Sequence, residues 1–210
     1  MSLLQLINRT SILAIALLIG PLALAANFPV TKTADTNDGS CDADCSLREA
    51  IIAANTAGGS DTISVPAGNY LLTRIGNDDT AINGDLDITD TLTLNGAGAG
   101  STIIDGNSID RVFHVLVGTT VTISDVTIRD GDAGGVDGGG IWNESNVTLS
   151  NVTMSNNSAR DGGAIFSSVN PNSLTLDNVT LNGNSATSQG GAIAIIDDNA
   201  SLMFTDVTMS

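Results

Sequence analysis

The sequence Val121-Thr-Ile-Ser-Asp-Val-Thr-Ile128 is the first of four copies of one pattern in this 210-residue chain, and these copies are the strongest indication of its fold. The later copies are Val147-Thr-Leu-Ser-Asn-Val-Thr-Met154, Leu174-Thr-Leu-Asp-Asn-Val-Thr-Leu181 and Leu202-Met-Phe-Thr-Asp-Val-Thr-Met209. Their starts are 26, 27 and 28 residues apart. A second phrase, Gly-Gly-x-Ile, runs in phase with them at 138–141, 162–165 and 190–193. Two phrases that share one period indicate a repeat architecture.

Each copy alternates apolar residues with polar ones, mostly threonine, and a polar pair interrupts the alternation at its centre. This pattern predicts two short strands that meet at a corner, and the Gly-Gly-x-Ile phrase adds a third strand. Strands this short pair with their equivalents one repeat later. We therefore predict an all-β fold, a single-stranded right-handed parallel β-helix of five to six coils over residues 61–210. The equivalent corner residues should adopt left-handed backbone and hydrogen-bond along a ladder: Asp125, Asn151, Asn178 and Asp206.

The first 25 residues differ from the rest of the chain. They have a weakly basic start, an apolar run from Ile12 to Ile19 and an Ala-Leu-Ala ending, which is typical of a secretory signal peptide. The alternative is a membrane anchor, but eight apolar residues are too few to span a bilayer as a helix. No later segment is long and apolar enough for membrane insertion, so we expect export to the cell surface or the extracellular space.

Residues 26–60 are predicted to form an N-terminal cap. Cys41 and Cys45 are the two cysteines, and in an exported chain they favour a disulfide that closes a small loop. Metal binding by these cysteines is the alternative, but zinc needs four ligands and the single histidine, His114, is distant in sequence.

A short helix should follow the second cysteine. Ser46 and Glu49 form a capping-box pattern, in which each side chain bonds the backbone amide of the other. The apolar residues that follow are spaced by three and four and define one stripe: Leu47, Ala50, Ile51 and Ala54. A helix this short is unstable alone, so its stripe is expected to cover part of the core.

The charge balance excludes several classes of partner. Seven Lys and Arg face 23 Asp and Glu, for a formal net charge of −16. A chain this acidic lacks the basic surface of a nucleic-acid binder or of a protein held on anionic lipid. Aromatic residues make up only 3% of the chain, which agrees with a narrow solenoid core filled by aliphatic side chains.

Two motifs carry family resemblances. The sequence Cys45-Ser-Leu-Arg-Glu-Ala-Ile51, with Ala53-Ala54-Asn55 and the segment that ends at Tyr70, resembles the N-terminal CSLREA domain of bacterial secreted proteins. The Gly-Gly-Ala-Ile phrases, preceded by Asn-rich corners at 156–158 and 182–184, resemble polymorphic outer-membrane protein repeats. These resemblances imply a right-handed β-helix at a bacterial surface or released from it, with the helix plugging its first coil. They imply no catalytic residues.

The expected function is therefore an exported surface scaffold, adhesin-like or structural, that has no catalytic activity and needs no cofactor. Its partner would be a glycan or a ligand on a host or neighbouring cell. The last phrase ends at Ser210 without a capping element, so we expect the last coil to continue into further sequence or to pair with another subunit.

A polysaccharide-binding or polysaccharide-cleaving β-helix, similar to pectate lyases, is the alternative. Such an enzyme needs paired acids on the outer face of one sheet, whereas the outward positions here are mostly Thr and the acids lie at corners. His114 lies between Phe113 and Val115, which should face inward, so its side chain is expected to point to solvent. Trp142 and Phe166 are predicted to face outward on neighbouring coils, where two rings could contact a glycan. Packing of these rings inside the protein or under a loop is the simpler interpretation.

Calcium binding is a further alternative that the sequence leaves open. It rests on two acidic groups, of which one lies in a Gly-rich loop (Asp130, Asp132, Asp137) and the other near the cysteines (Asp35, Asn37, Asp38, Asp42, Asp44). Neither group matches the EF-hand or the nonapeptide template, and flexible acidic turns explain both.

Overall fold

The computed structural model describes residues 24–168, 173–196 and 199–210, which form 17 strands and one helix. Most of the predicted signal peptide lies outside these residues. The helix is α1 (Leu47–Ala57). The strands are β1 (Asn27–Pro29), β2 (Asp61–Ser64), β3 (Gly68–Leu71), β4 (Leu86–Ile88), β5 (Leu92–Asn95), β6 (Thr102–Asp105), β7 (Phe113–Val115), β8 (Thr120–Ser124), β9 (Thr127–Arg129), β10 (Ile141–Asn143), β11 (Asn146–Ser155), β12 (Ser158–Asp161), β13 (Ile165–Ser167), β14 (Ser173–Asn182), β15 (Ser185–Gln189), β16 (Ile193–Ile195) and β17 (Ser201–Met209).

The strands stack in parallel as an all-β solenoid of about five turns. One stack runs β1-β2-β5-β8 and continues into the first halves of β11, β14 and β17. A second runs β3-β6-β9 and continues into their second halves. The third is a five-stranded sheet in the order β4-β7-β10-β13-β16, which we call the Ile sheet after the Gly-Gly-x-Ile phrases that supply three of its strands.

The repeat spacing sets the register, as predicted. Val147 lies directly opposite Val121 on one side and Leu174 on the other, and Leu174 lies opposite Leu202. The three valines that follow the corner, Val126, Val152 and Val179, are all buried. Aliphatic side chains from successive coils therefore fill one continuous core, with Phe113 as a fully buried ring.

The corner residues behave as the sequence predicts. Asp125, Asn151, Asn178 and Asp206 have positive φ angles of 59°, 55°, 54° and 51°. The amide of Asn151 donates to Asp125 at 3.2 Å, and that of Asn178 donates to Asn151 at 2.9 Å. The prediction that two separate strands meet at every corner is wrong for β11, β14 and β17, each of which runs through its corner as one strand.

The N-terminal segment closes one end of the solenoid. The predicted disulfide joins Cys41 to Cys45, and both hydrogen bonds of the Ser46–Glu49 capping box are present. The predicted apolar stripe of α1 is buried in the core. The segment expected to be only a cap also contributes a strand, since β1 pairs with β2.

Arg48 is an unexpected component of this cap. Its side chain is fully buried, and its guanidinium donates to the Asp35 carboxylate at 2.6 Å. It also donates to the carbonyls of Ala81 and Gly84, each at 2.8 Å. These bonds fasten α1 to the segment 72–85, which connects β3 to β4.

Leu202, Phe204 and Met209 of β17 are exposed at the opposite end. β17 pairs with β14 alone among the described strands. The expectation that further sequence or another subunit covers this coil stays a prediction.

Candidate functional site

One row of side chains projects outward from the Ile sheet, with one residue from each coil. The strands alternate, so Leu86 and Ile88 face the core while Asp87 between them faces out. The register aligns the outward residues in the order Asp87, His114, Trp142, Phe166 and Ala194. We call this set the outer row. It brings an acid, an imidazole and two aromatic rings together on adjacent coils.

The prediction that His114 points to solvent is wrong. Its side chain is only 7% exposed, although it does project away from the core. The Nδ1 atom lies 3.3 Å from Asp87 Oδ1, and Nε2 lies 3.3 Å from Glu144 Oε2. The Trp142 ring stacks on the imidazole with centroids 4.5 Å apart. Neighbouring coils therefore cover a side chain that a single strand would leave exposed.

The expectation that the acids lie at corners also fails here. Asp87 lies on an outward strand position, and Asp85 precedes the same strand. Asp85 Oδ2 lies 3.6 Å from Arg111 Nε, and both residues are buried. The Arg111 guanidinium lies over the Trp142 ring, 4.7 Å from its centroid. An ionic cluster of Asp85, Arg111, Asp87 and His114 thus lies on the outer face of the first coils.

Burial and neighbouring charges together shift the pKa values of Asp85 and His114 in this cluster and of the nearby Asp110. Burial, together with the charge of Asp87, raises the pKa of Asp85 to about 7, against the opposing effect of Arg111. Burial also raises the pKa of Asp110. For His114, burial acts to lower the pKa, but the carboxylates of Asp87, Asp85 and Glu144 outweigh it and raise the pKa.

The two aromatic rings lie outside the coil, as predicted, and pack mainly on protein. Trp142 is half-buried, and its Nε1 donates to Ser168 Oγ at 3.0 Å. Phe166 is buried and meets Trp142 edge to face, with centroids 6.5 Å apart and an interplanar angle of 64°. The rings therefore form a T-shaped pair and not a flat platform. Glycan contact through Trp142 and Phe166 stays a prediction.

The acids considered for calcium lie apart and have partners of their own. In the Gly-rich loop, Asp130 pairs with Arg129 at 3.3 Å and Asp137 with Arg160 at 2.7 Å. Near the cysteines, Asp44 pairs with Lys32 at 3.1 Å. Asp132, Asp38 and Asp42 accept from backbone amides of their own turns. Calcium binding stays a prediction.

A signal for the outer row is present in the sequence. Leu86-Asp87-Ile88, Phe113-His114-Val115 and Ile141-Trp142-Asn143 each place one polar or aromatic side chain between residues that face inward. Their alignment would have brought Asp87, His114 and Trp142 into one row. Asp79 and Glu144 lie outside this pattern, because the connections between strands position them.

The comparison with protein families identifies two repeats. Residues 151–168 and 178–196 match the Chlamydia polymorphic membrane protein repeat. Each matched segment runs from a corner asparagine to the residue that follows a strand of the Ile sheet, so the matches cover equivalent parts of two successive coils. No curated protein and no solved structure shows significant similarity to the chain. Among the described residues, no helix has the length and apolarity needed to cross a bilayer. The chain thus carries two repeats similar to those of polymorphic membrane proteins, within a parallel β-solenoid.

Proposed function

We propose that the chain is an exported bacterial surface protein whose β-helix is a rigid, adhesin-like or structural display scaffold, with no catalytic activity of its own. The two matched repeats carry this proposal. They lie on successive coils, and β11 and β14 stay in register over nine residue pairs. Repeats stacked in this way give a stiff rod with a long, regular outer surface.

The proposal also includes the handedness of the solenoid, the type of cap, the export signal and the class of partner. The solenoid would be right-handed, as nearly all parallel crossover connections are. The segment around Cys45 and α1 would be a CSLREA-type cap, and residues 1–25 a signal peptide that directs export. The partner would be a glycan or a ligand on another cell, because the net charge of −16 disfavours nucleic acid.

Surface labelling tests the display role. Antibodies raised against the folded chain would be applied to intact and to permeabilised cells of a bacterium that produces it. We expect labelling of intact cells that disappears after treatment with an external protease. Labelling that requires permeabilisation would contradict surface display. An adhesin-like role further predicts that the purified chain binds to target cells or to glycan arrays in a saturable manner.

A polysaccharide-binding or polysaccharide-cleaving activity is the second candidate, and the ionic cluster favours it. Burial raises the pKa of Asp85 to about 7, and this residue lies beside a second acid and an arginine on the outer face of the sheet. A carboxyl group with this pKa is suited to general acid–base catalysis near neutral pH. However, Asp85 and Arg111 are both buried, so a substrate would have to displace their neighbours.

Incubation of the purified chain with pectin, alginate and other uronate polymers separates the two candidates. Release of reducing ends or of unsaturated products, lost in Asp85→Asn, would establish the enzyme. The scaffold proposal expects no product above that of a reaction without protein, whereas an enzyme that uses Asp85 should stay active in Asp177→Asn, which alters an exposed acid on β14.

A further inference from the structure

Three ligand atoms of metal-binding type converge where the outer row begins. They belong to Asp79 in the 72–85 connection, Asp87 on β4 and His114 on β7, and all lie within 4.8 Å of one another. His114 Nδ1 is 3.3 Å from Asp87 Oδ1 and 3.9 Å from Asp79 Oδ1. We propose that Asp79, Asp87 and His114 bind one divalent transition-metal ion of the Zn²⁺ class. This inference is independent of the proposed display function.

The buried carboxylate of Asp87 points to a missing ligand. Its side chain is 0% exposed, and Oδ2 accepts a hydrogen bond from the Ala81 amide at 2.8 Å. Oδ1 makes no hydrogen bond of good geometry with the described residues; His114 Nδ1 lies 3.3 Å away and compensates its charge only when the imidazole is protonated. A buried carboxylate oxygen is costly unless a donor or a cation compensates it. Oδ1 faces His114 Nδ1 and Asp79, where a shared cation would compensate it.

The distances fit a tetrahedral ion. With metal–ligand bonds of about 2.0–2.2 Å, two ligand atoms at the tetrahedral angle are separated by about 3.4 Å. The separation of 3.3 Å between His114 and Asp87 already agrees with this value. The distance of 3.9 Å to Asp79 is longer, but that side chain is 76% exposed and therefore free to move closer. The same exposure provides an entry path for the ion.

The residues around His114 hold its ring in an orientation that leaves Nδ1 available to a metal ion. Glu144 Oε2 lies 3.3 Å from Nε2, so a carboxylate faces the ring nitrogen that the metal would not use. Histidines that bind metals commonly donate that second N–H to a carboxylate or carbonyl, which fixes the tautomer and the ring orientation. The stacked indole of Trp142 also fixes the plane of the ring.

The ligand set selects the class of ion. One imidazole nitrogen and two carboxylates suit Zn²⁺ and similar ions, whereas Ca²⁺ requires six to eight oxygen ligands. Two carboxylates and a neutral imidazole balance the charge of a divalent ion. Any proton on Nδ1 is released to the buffer as the metal binds. Water would occupy the fourth position, and the ion would fasten the 72–85 connection to the first two coils.

A zinc titration of the full chain after chelation and dialysis tests this site. Calorimetry gives the stoichiometry, and fluorescence reports the site because Trp142 is the single tryptophan. We expect about one Zn²⁺ per chain, a change in Trp142 emission and a higher thermal midpoint, with no comparable response to Ca²⁺. Absence of saturable Zn²⁺ binding, or an equal response to Ca²⁺, would overturn the proposal.

Two substitutions locate the ion. Asp79→Asn changes an exposed carboxylate, so the fold should persist while the affinity for Zn²⁺ falls about tenfold or more. Asp177→Asn removes an exposed acid on β14 outside the cluster and should leave the affinity unchanged. If both variants bind Zn²⁺ as tightly as the unsubstituted chain, the ion binds elsewhere and the assignment is wrong. His114→Gln should abolish the change in fluorescence, and circular dichroism would establish that this variant is folded.

Discussion

The indole ring of Trp142 lies nearly parallel to the imidazole of His114, with centroids 4.5 Å apart and an interplanar angle of 13°. These residues are separated by 28 positions in sequence and face each other because β7 and β10 pair in register. The same indole contacts Phe166 edge to face and lies under the Arg111 guanidinium. Trp142 therefore connects the ionic cluster of the first coils to the aromatic part of the outer row.

Removal of this ring should weaken the solenoid. Trp142→Ala loses both ring contacts, the contact with Arg111 and the hydrogen bond to Ser168, so we expect a loss of about 2–4 kcal/mol in the free energy of unfolding. Urea denaturation followed by circular dichroism measures it. Trp142→Phe keeps a ring in place and should lose less than about 1.5 kcal/mol. Equal midpoints for Trp142→Ala and the unsubstituted chain would show that the stack contributes nothing.

The second glycine of the Gly-Gly-Ala-Ile phrase provides a matched pair of substitutions. A Cβ atom on Gly163 would clash with the carbonyl oxygens of Gly191 and Ser185, which are backbone atoms of the next coil. At Gly191 the nearest atom to an added Cβ is the Asn184 carbonyl oxygen, at an ordinary contact distance of 3.7 Å. The same substitution thus meets closely packed backbone at one position and only an ordinary van der Waals contact at the other.

We therefore expect Gly163→Ala to lower the free energy of unfolding by about 2–3 kcal/mol, because the backbones of two neighbouring coils have to move apart to make room for the methyl group. Gly191→Ala should change it by less than about 1 kcal/mol. Thermal and urea denaturation of both variants measure the difference. Similar losses in the two variants would mean that backbone flexibility, and not the close approach of coils, is the reason for glycine.

The fold was predictable because its information is local and repeated. The period aligns Val121, Val147 and Leu174 on neighbouring strands. At the corner, asparagine is a residue type that tolerates left-handed backbone, which Asn151 adopts. The capping box of Ser46 and Glu49 is likewise contained in four consecutive residues. Each of these features can be seen in the sequence without knowledge of the distant packing.

The site was not predictable in the same way, because its geometry depends on neighbouring coils. His114 is outward on its own strand, as expected, and neighbouring coils cover it through Asp87 on one side and Glu144 and Trp142 on the other. Asp79 lies in the 72–85 connection, which contains no strand and no part of the repeated phrases. Arg48 was also missed, since its partners are the carbonyls of the 72–85 connection and the Asp35 carboxylate.

Buried Asn157, which pairs with half-buried Asn184, provides a test of polar interactions between the coils. Asn157 is fully buried, and its Oδ1 accepts from the Gly131 amide at 3.0 Å. Its Nδ2 donates to the Ile128 carbonyl at 3.2 Å and to Asn184 Oδ1 at 2.9 Å. The side chain thus joins three successive coils.

Asn157→Ala should lower the free energy of unfolding by about 2–3 kcal/mol, because it leaves backbone groups of neighbouring coils buried without partners. Asn182→Ala is the matched control: this side chain is exposed and accepts one 3.4 Å bond from Ser210, so the change should stay within about 0.5 kcal/mol. Urea midpoints of the two variants measure the contrast. A loss in Asn157→Ala no larger than in the control would be incompatible with a stabilising role for the pair.

The cap contains a group that makes stability depend on pH. The buried carboxylate of Glu49 accepts hydrogen bonds from the Ser46 amide at 2.7 Å, the Asp38 amide at 3.0 Å and the Thr36 hydroxyl at 3.0 Å. Lys32 Nζ lies 3.3 Å from it. Burial acts to raise the pKa of Glu49, but these hydrogen bonds outweigh it and lower the pKa to about 2, from an ordinary value of 4.5.

Because the folded pKa of Glu49 is the lower one, the folded chain binds fewer protons than the unfolded chain between pH 4.5 and about 2. Glu49 therefore makes its full contribution to the free energy of unfolding above pH 4.5, and this contribution decreases as the pH falls towards 2. The full contribution is on the order of 3 kcal/mol. Urea midpoints measured from pH 6 to pH 2.5 should show this loss. Glu49→Gln should be less stable at pH 6 and have a flatter profile, whereas Asp177→Asn should keep the full slope. Parallel profiles for Glu49→Gln and the unsubstituted chain would place the pH dependence on other carboxylates.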